Sequence, residues 1–78
     1  MREVDDIIEQ AEKYIKDGRF ENARSILFES AELIDDDPRI FNKIGVSYAC
    51  ESDLERAEES FRKALSIDPK FAVAYSNL

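Results

Sequence analysis

The sequence predicts an all-α fold built as a stack of antiparallel helix pairs. Apolar residues recur at three- and four-residue steps along the chain, the spacing of one face of an α-helix. The chain also repeats itself, because one common shift pairs Ala11 with Gly45 and Tyr14 with Tyr48. A helical pattern that recurs with a period of about 34 residues is typical of stacked helix pairs, each of which buries its apolar face against the next.

Gly45 is the most informative residue of the pattern, because it lies inside a predicted helix. A glycine there costs roughly 1 kcal/mol relative to alanine. Phe41, Ile44 and Tyr48 fall on the same helix face as Gly45, so the glycine lies among bulky apolar neighbours. We therefore expect another helix to pack closely against it. The fourth helix is predicted to supply the opposing face, made of Leu54, Ala57, Phe61, Ala64 and Leu65.

Two helices are predicted in the first half of the chain. The first extends from Met1 to Lys16 and has acidic residues in its first turn, where the helix dipole favours them. It ends near Gly18, since glycine readily adopts the left-handed conformation that closes a helix. The second extends from Phe20 to Ile34. Its inner side is predicted to carry Phe20, Ala23, Leu27, Ala31 and Ile34.

Two further helices are predicted in the second half. Pro38 suits the first turn of the third helix, where a missing N–H is no loss, and Asp37 can cap that helix. Ser52 precedes Glu55 by three residues, the spacing of a capping box at the start of the fourth helix. The fourth helix is predicted to end at about Ile67.

The second half of the chain resembles the tetratricopeptide repeat family. The signature of that family has an aromatic residue, leucine, glycine and tyrosine in its first helix, followed by alanine, an aromatic residue, alanine and proline. The matching residues here are Phe41, Ile44, Gly45, Tyr48, Ala57, Phe61, Ala64 and Pro69. The resemblance implies a right-handed superhelical stack, an α-solenoid, whose first helices line a concave groove for protein partners.

The resemblance divides the 78 residues into two repeats and the start of a third within one module. The predicted bounds are 4–37, 38–71 and 72–78. The first copy is degenerate or terminal, because Gln10, Leu27 and Asp35 stand where the signature has leucine, an aromatic residue and proline. Since the chain stops just before the third copy's glycine position, we expect it to be a fragment of a larger scaffold or adaptor protein.

The composition argues against several classes of partner and site. The chain has 11 basic and 18 acidic residues, and its net charge of −7 repels phosphate backbones and anionic lipid, so neither nucleic acid nor a membrane is expected as a partner. No apolar run approaches the roughly 20 residues that span a bilayer, and a signal peptide is not evident. A single cysteine allows no internal disulfide. We expect a cytoplasmic protein without a cofactor.

The resemblance also implies a peptide-binding groove on the first helix of each copy. The corresponding positions are Ile8, Glu9, Glu12, Arg39, Asn42, Lys43, Val46, Ser76 and Asn77. Acidic residues occupy the first copy and basic residues the second, so a ligand crossing both is expected to place its acid near the second copy. The alternative is that these are ordinary solvated positions of a spacer repeat.

Residues that suggest chemistry have simpler structural interpretations. The chain has no histidine to activate Cys50, which we expect to be a half-buried packing residue. Residues 35–37 are three aspartates without the spaced ligands of a calcium loop, and they are better explained as helix caps than as a metal site. Glu58 and Glu59 are expected to pair with the basic residues four positions later. We therefore predict that the chain is not an enzyme.

Two other functions remain open at this point. The chain could be a regulatory or targeting appendage of an enzyme encoded beyond residue 78, which the full reading frame would reveal. It could also self-associate through the apolar face that an unfinished fifth helix leaves uncovered. Concentration-dependent sedimentation would detect that association.

Overall fold

The computed structural model describes residues 3–71 and residue 77 of the chain. This part contains four α-helices and no strand, which confirms the predicted all-α class. The helices are α1 (Val4–Lys16), α2 (Phe20–Leu33), α3 (Pro38–Cys50) and α4 (Leu54–Ile67). Within these residues no helix has both the length and the apolar character to cross a membrane. The predicted fifth helix lies outside the described residues, except for Asn77, which is helical.

The two helix pairs have the same lengths and the same spacing. α1 and α3 contain 13 residues each, and α2 and α4 contain 14. The offset from α1 to α3 equals the offset from α2 to α4, at the beginning and at the end of each helix. It is also the shift that pairs Ala11 with Gly45 in the sequence. The period of the sequence is therefore the period of the secondary structure.

Gly18 closes α1 as predicted. Its φ is 76°, in the left-handed region, and the next N–H, that of Arg19, donates to the carbonyl of Tyr14 over 2.8 Å. That bond satisfies one of the carbonyls left open at the helix end.

The capping box predicted at Ser52 is wrong. Ser52 has φ 63° and follows the end of α3, and the N–H of Asp53 donates to the carbonyl of Tyr48 over 2.9 Å. Ser52 therefore helps to close α3 instead of starting α4. The N-cap of α4 is Asp53, whose carboxylate accepts a hydrogen bond from the N–H of Arg56 at 3.2 Å.

The start of α3 confirms the predicted cap. Pro38 occupies the first turn, and a carboxylate oxygen of Asp37 accepts from the N–H of Arg39 at 3.0 Å. Asp37 thus satisfies an amide that has no partner within the helix.

The buried apolar residues form two clusters. The first contains Ala11, Ala23, Leu27, Ile40 and Ile44, from α1, α2 and α3. The second contains the α4 residues Ala57, Phe61 and Ala64. Phe41 and Tyr48 of α3 are half-buried and pack against both clusters, so α3 lies between the two.

Close packing against Gly45 is confirmed, and its partner is Phe61. A Cβ atom on Gly45 would lie 2.5 to 2.9 Å from three atoms of the Phe61 ring. The glycine therefore leaves the space into which this buried ring fits. Leu54, which we predicted on the same buried face of α4, is the first residue of that helix and is instead 69% exposed.

Candidate functional site

The first helices of the two pairs, α1 and α3, lie side by side and are joined by two ion pairs. Arg39 Nη1 lies 2.5 Å from Asp5 Oδ1, and Lys43 Nζ lies 3.0 Å from Glu12 Oε1. We call the surface that carries these residues, with Ile8, Glu9, Asn42, Val46 and Asn77, the α1–α3 face. It brings together the described residues of the predicted groove.

Arg39 is held by two carboxylates. Its Nε and Nη2 donate to Asp37 over 3.0 and 2.7 Å, and its Nη1 donates to Asp5. The hydrogen bonds to Asp37 and then to Asp5 raise the pKa of Arg39 above its ordinary value. The hydrogen bond from the Arg39 side chain lowers the pKa of Asp37. The Asp37 cap therefore fixes an arginine that also reaches across to α1.

Charged residues of the α1–α3 face pair with each other. Asp5 and Glu12 of the first pair bind Arg39 and Lys43 of the second. Glu9 is exposed, and its Oε1 lies 3.7 Å from Nζ of Lys13 on the same helix. The face thus carries neutralised pairs where the sequence predicted one acidic and one basic surface.

Ile8 and Val46 provide apolar surface on the α1–α3 face. Both side chains are half-buried, Ile8 against the first cluster and Val46 against the second. Each therefore has exposed surface that remains available for contact.

Asn42 was predicted as a groove residue and is only 3% exposed. Its amide oxygen accepts a hydrogen bond from Nδ2 of Asn77 at 3.0 Å. Asn42 is thus a buried polar residue that fixes Asn77, which is itself exposed. Ser76 lies outside the described residues.

Arg24 of α2 makes a set of contacts that the sequence did not indicate. Its Nη1 donates to Ser47 Oγ at 3.1 Å, and its Nη2 lies 2.6 Å from Glu51 Oε1. The guanidinium also lies 4.3 Å from the centroid of the Tyr48 ring, within cation–π range. Its side chain is only 13% exposed, so it joins α2 to the C-terminal end of α3. The equivalent residue of the second pair is Glu58, so no repeat pattern marked this arginine.

The residues with candidate chemical roles lie in different environments. Cys50 is exposed, so its predicted role as a half-buried packing residue is wrong, since the side chain lies at the solvated end of α3. Glu58 pairs with Arg62 at 2.7 Å, as predicted. In the described part of the chain no group of three potential ligands is placed to hold a metal ion.

Comparison with known proteins identifies the second helix pair. A family model described as Tetratricopeptide repeat matches residues 38–71, which contain all of α3 and α4. Neither the comparison with curated proteins nor the comparison with solved structures gives a match. Repeats of this family generally form protein-interaction modules. Residues 38–71 of the chain are therefore a tetratricopeptide repeat.

Proposed function

We propose that this chain is the peptide-binding part of a larger scaffold or adaptor protein, and that the α1–α3 face binds an extended peptide or a partner helix. The observation that supports this most directly is the pairing of α1 with α3 through Asp5–Arg39 and Glu12–Lys43. These pairs bridge two helices that already pack against each other, and a preorganised surface binds at low reorganisation cost.

The proposed ligand is bound chiefly by its apolar side chains. Ile8 and Val46 offer the apolar surface, one from each helix. Lys43 uses one of its three N–H donors for Glu12, so the other two can bind carbonyl oxygens of a peptide. Each solvated charge contact is expected to contribute less than about 1 kcal/mol and to orient the ligand more than to hold it.

The proposal includes the division of the chain into a degenerate first repeat at 4–37, the matched repeat at 38–71 and the start of a third at 72–78. The common offset between the two helix pairs supports it. A shallow depression on α1 is lined by Asp6, Glu9, Gln10 and Lys13. A polar surface of this kind suits a terminal repeat.

A selection experiment tests the proposed function. A displayed library of random linear peptides is selected against the purified chain, and the peptides obtained are titrated with variants. We expect Val46→Asp to weaken binding at least tenfold, since it places a charge on the apolar surface. Lys43→Ala is expected to weaken binding up to about fivefold.

Arg62→Ala is the matched control, because Arg62 is an exposed cation on α4 and lies off the α1–α3 face. The control is expected to leave affinity unchanged. Peptides that bind equally well to Val46→Asp and to the parent chain would show that another surface is used.

A further inference from the structure

A second groove lies on the other side of α3, between α2 and α4. It has a volume of about 350 Å³, at the small end of the range for ligand pockets. We call it the α2–α4 groove. Its lining residues are Phe28, Phe41, Tyr48, Arg56, Glu59, Ser60 and Lys63. On α3, Phe41 and Tyr48 lie about 160° around the helix from the α1–α3 face, so the two surfaces are separate.

The floor of the groove is aromatic. Phe41 and Tyr48 are half-buried there, and Phe28 stands at the α2 edge with 45% of its surface exposed. A single exposed aromatic residue is common on protein surfaces, but three that line one concave surface provide a site for an apolar side chain.

Two cations from α4 lie over this floor. Lys63 Nζ is 5.7 Å from the centroid of the Phe41 ring, and the Arg56 guanidinium is 6.0 Å from that of Tyr48. Phe41 and Tyr48 are seven residues apart on α3, and Arg56 and Lys63 are seven residues apart on α4. Seven residues span about 10.5 Å along a helix axis. The groove thus presents two positive charges about two helical turns apart, with apolar surface between them.

Each of these two cationic side chains can bind a further anion. Within residues 3–71 and 77, Lys63 takes part in no ion pair, so the pair predicted between Glu59 and Lys63 does not form there. Arg56 donates from Nη1 to Asp53 at 3.0 Å, and that hydrogen bond raises the pKa of Arg56. The remaining guanidinium N–H groups can bind a second carboxylate. The described lining residues thus carry two cations and one acid, Glu59, and Asp53 offsets part of the charge of Arg56.

We propose that the α2–α4 groove binds a short helix of a partner protein that carries two carboxylates seven residues apart and a large apolar side chain midway between them. Carboxylates at positions i and i+7 of a helix lie on one face and span the distance between Lys63 and Arg56. The residue at i+3 or i+4 lies on that same face and meets Phe28.

An extended segment does not satisfy the same spacing. It covers about 10.5 Å in about three residues, and residues three apart in an extended chain point to opposite sides. A helix seated between two helices also buries its apolar face in the manner of other helix-in-groove complexes. The spacing of the two cations therefore favours a helical ligand.

The test uses a helix-stabilised synthetic peptide of about 15 residues with Glu at i and i+7 and Leu at i+3 and i+4. Binding to the full chain is followed by fluorescence anisotropy. We expect saturation with a Kd of about 100 μM or lower and weaker binding at high salt. A control peptide of the same composition has its second Glu at i+5, which turns the carboxylate away, and is expected to bind at least fivefold more weakly.

Matched variants locate the site. We expect Phe28→Ser to weaken binding roughly tenfold and Lys63→Ala roughly fivefold. Arg62→Ala, which removes a neighbouring cation outside the groove, is expected to leave affinity unchanged. Circular dichroism of each variant checks that the helices are retained.

The proposal is overturned if the peptide shows no saturation up to about 1 mM. It is also overturned if Arg62→Ala weakens binding as much as Lys63→Ala, because the attraction would then be nonspecific. Equal binding of the two peptides, or no effect of Phe28→Ser, would exclude the proposed geometry. Since every readout concerns the α2–α4 groove, the result is independent of the function proposed for the α1–α3 face.

Discussion

Gly18 and Ser52 hold the same left-handed backbone at equivalent points of the two helix pairs. Each lies two positions after the last residue of the first helix of its pair, and their φ values are 76° and 63°. Each is followed by an N–H that donates to a carbonyl five residues earlier, Arg19 to Tyr14 and Asp53 to Tyr48. The two helix ends are thus closed in the same way, by a glycine in one copy and by a serine in the other.

The first prediction is that Ser52→Gly stabilises the chain. A residue with a side chain pays about 1 kcal/mol to adopt the left-handed conformation, and glycine does not. We expect the free energy of unfolding to rise by about 0.5 to 1 kcal/mol, less the entropy that glycine adds to the unfolded chain. Gly18→Ala is the converse variant and should destabilise by a similar amount. Urea titrations that show no gain for Ser52→Gly would contradict the prediction.

The second prediction is that Gly45→Ala destabilises the chain, although alanine is the better helix former. The added Cβ would lie within 2.9 Å of three atoms of the buried Phe61 ring, so the ring must move. Overpacking of this kind costs about 1 to 3 kcal/mol, and alanine gains roughly 1 kcal/mol in a helix, so we expect a net loss of up to about 2 kcal/mol. Thermal unfolding measures the difference.

The double variant Gly45→Ala with Phe61→Leu provides the control for that interpretation. A leucine side chain is smaller than the ring, so it should relieve the contact, and the two changes should be non-additive. Additive effects, or a higher Tm for Gly45→Ala alone, would show that the ring does not limit the space at Gly45.

Some of the fold could be predicted because it obeys local rules. Gly18 closes a helix and Asp37 caps one, and both roles follow from residue type and position. The close contact at Gly45 followed from the cost of glycine in a helix. The capping box was wrongly assigned to Ser52 because the spacing of Ser52 and Glu55 says nothing about which helix the serine belongs to.

The contacts of the candidate site were less predictable because they depend on packing between helices. Periodicity placed Asn42 and Lys43 on one face of α3 but did not reveal that Asn42 is buried or that Lys43 reaches Glu12. Arg24 lies on α2 among exposed polar residues, and its contacts with Ser47 exist only once α2 packs on α3.

The third prediction concerns the ion pair between Lys43 and Glu12. The single variant Lys43→Glu reverses one charge and places two carboxylates together. The double variant Lys43→Glu with Glu12→Lys restores an attractive pair. Because the Glu12 side chain is 47% exposed, the coupling energy is expected to be below about 1 kcal/mol and to fall at high salt. A double-mutant cycle in low and high salt measures it, and a coupling independent of salt would contradict a solvated ion pair.

The fourth prediction is a pH dependence from Asp37. Its folded pKa is lowered, first by the hydrogen bond from the Arg39 side chain. The ionised carboxylate therefore stabilises the folded chain at pH values above the unfolded pKa of about 3.9, and this contribution is lost as the pH falls through the folded value. Asn also caps helices well, so Asp37→Asn should keep the cap and lose only the part that depends on charge.

Urea unfolding of both forms between about pH 2 and pH 6 tests this linkage. The parent chain is expected to be more stable at the upper end of that range, and the difference between the two forms should shrink towards the lower end. A constant difference across the range would contradict the assignment to Asp37.

Because α3 lies between the two buried clusters, the unit that folds does not coincide with the unit that repeats in the sequence. Ile40 and Ile44 belong to the second helix pair by sequence, yet they are buried in the first cluster, against Leu27. A segment cut after residue 37 would therefore lack part of its own core. Because Phe41 and Tyr48 also contact the second cluster, loss of α3 would expose both clusters at once. The amide protons of α1, α2 and α4 are thus expected to exchange through one common opening, with no independent opening of either pair.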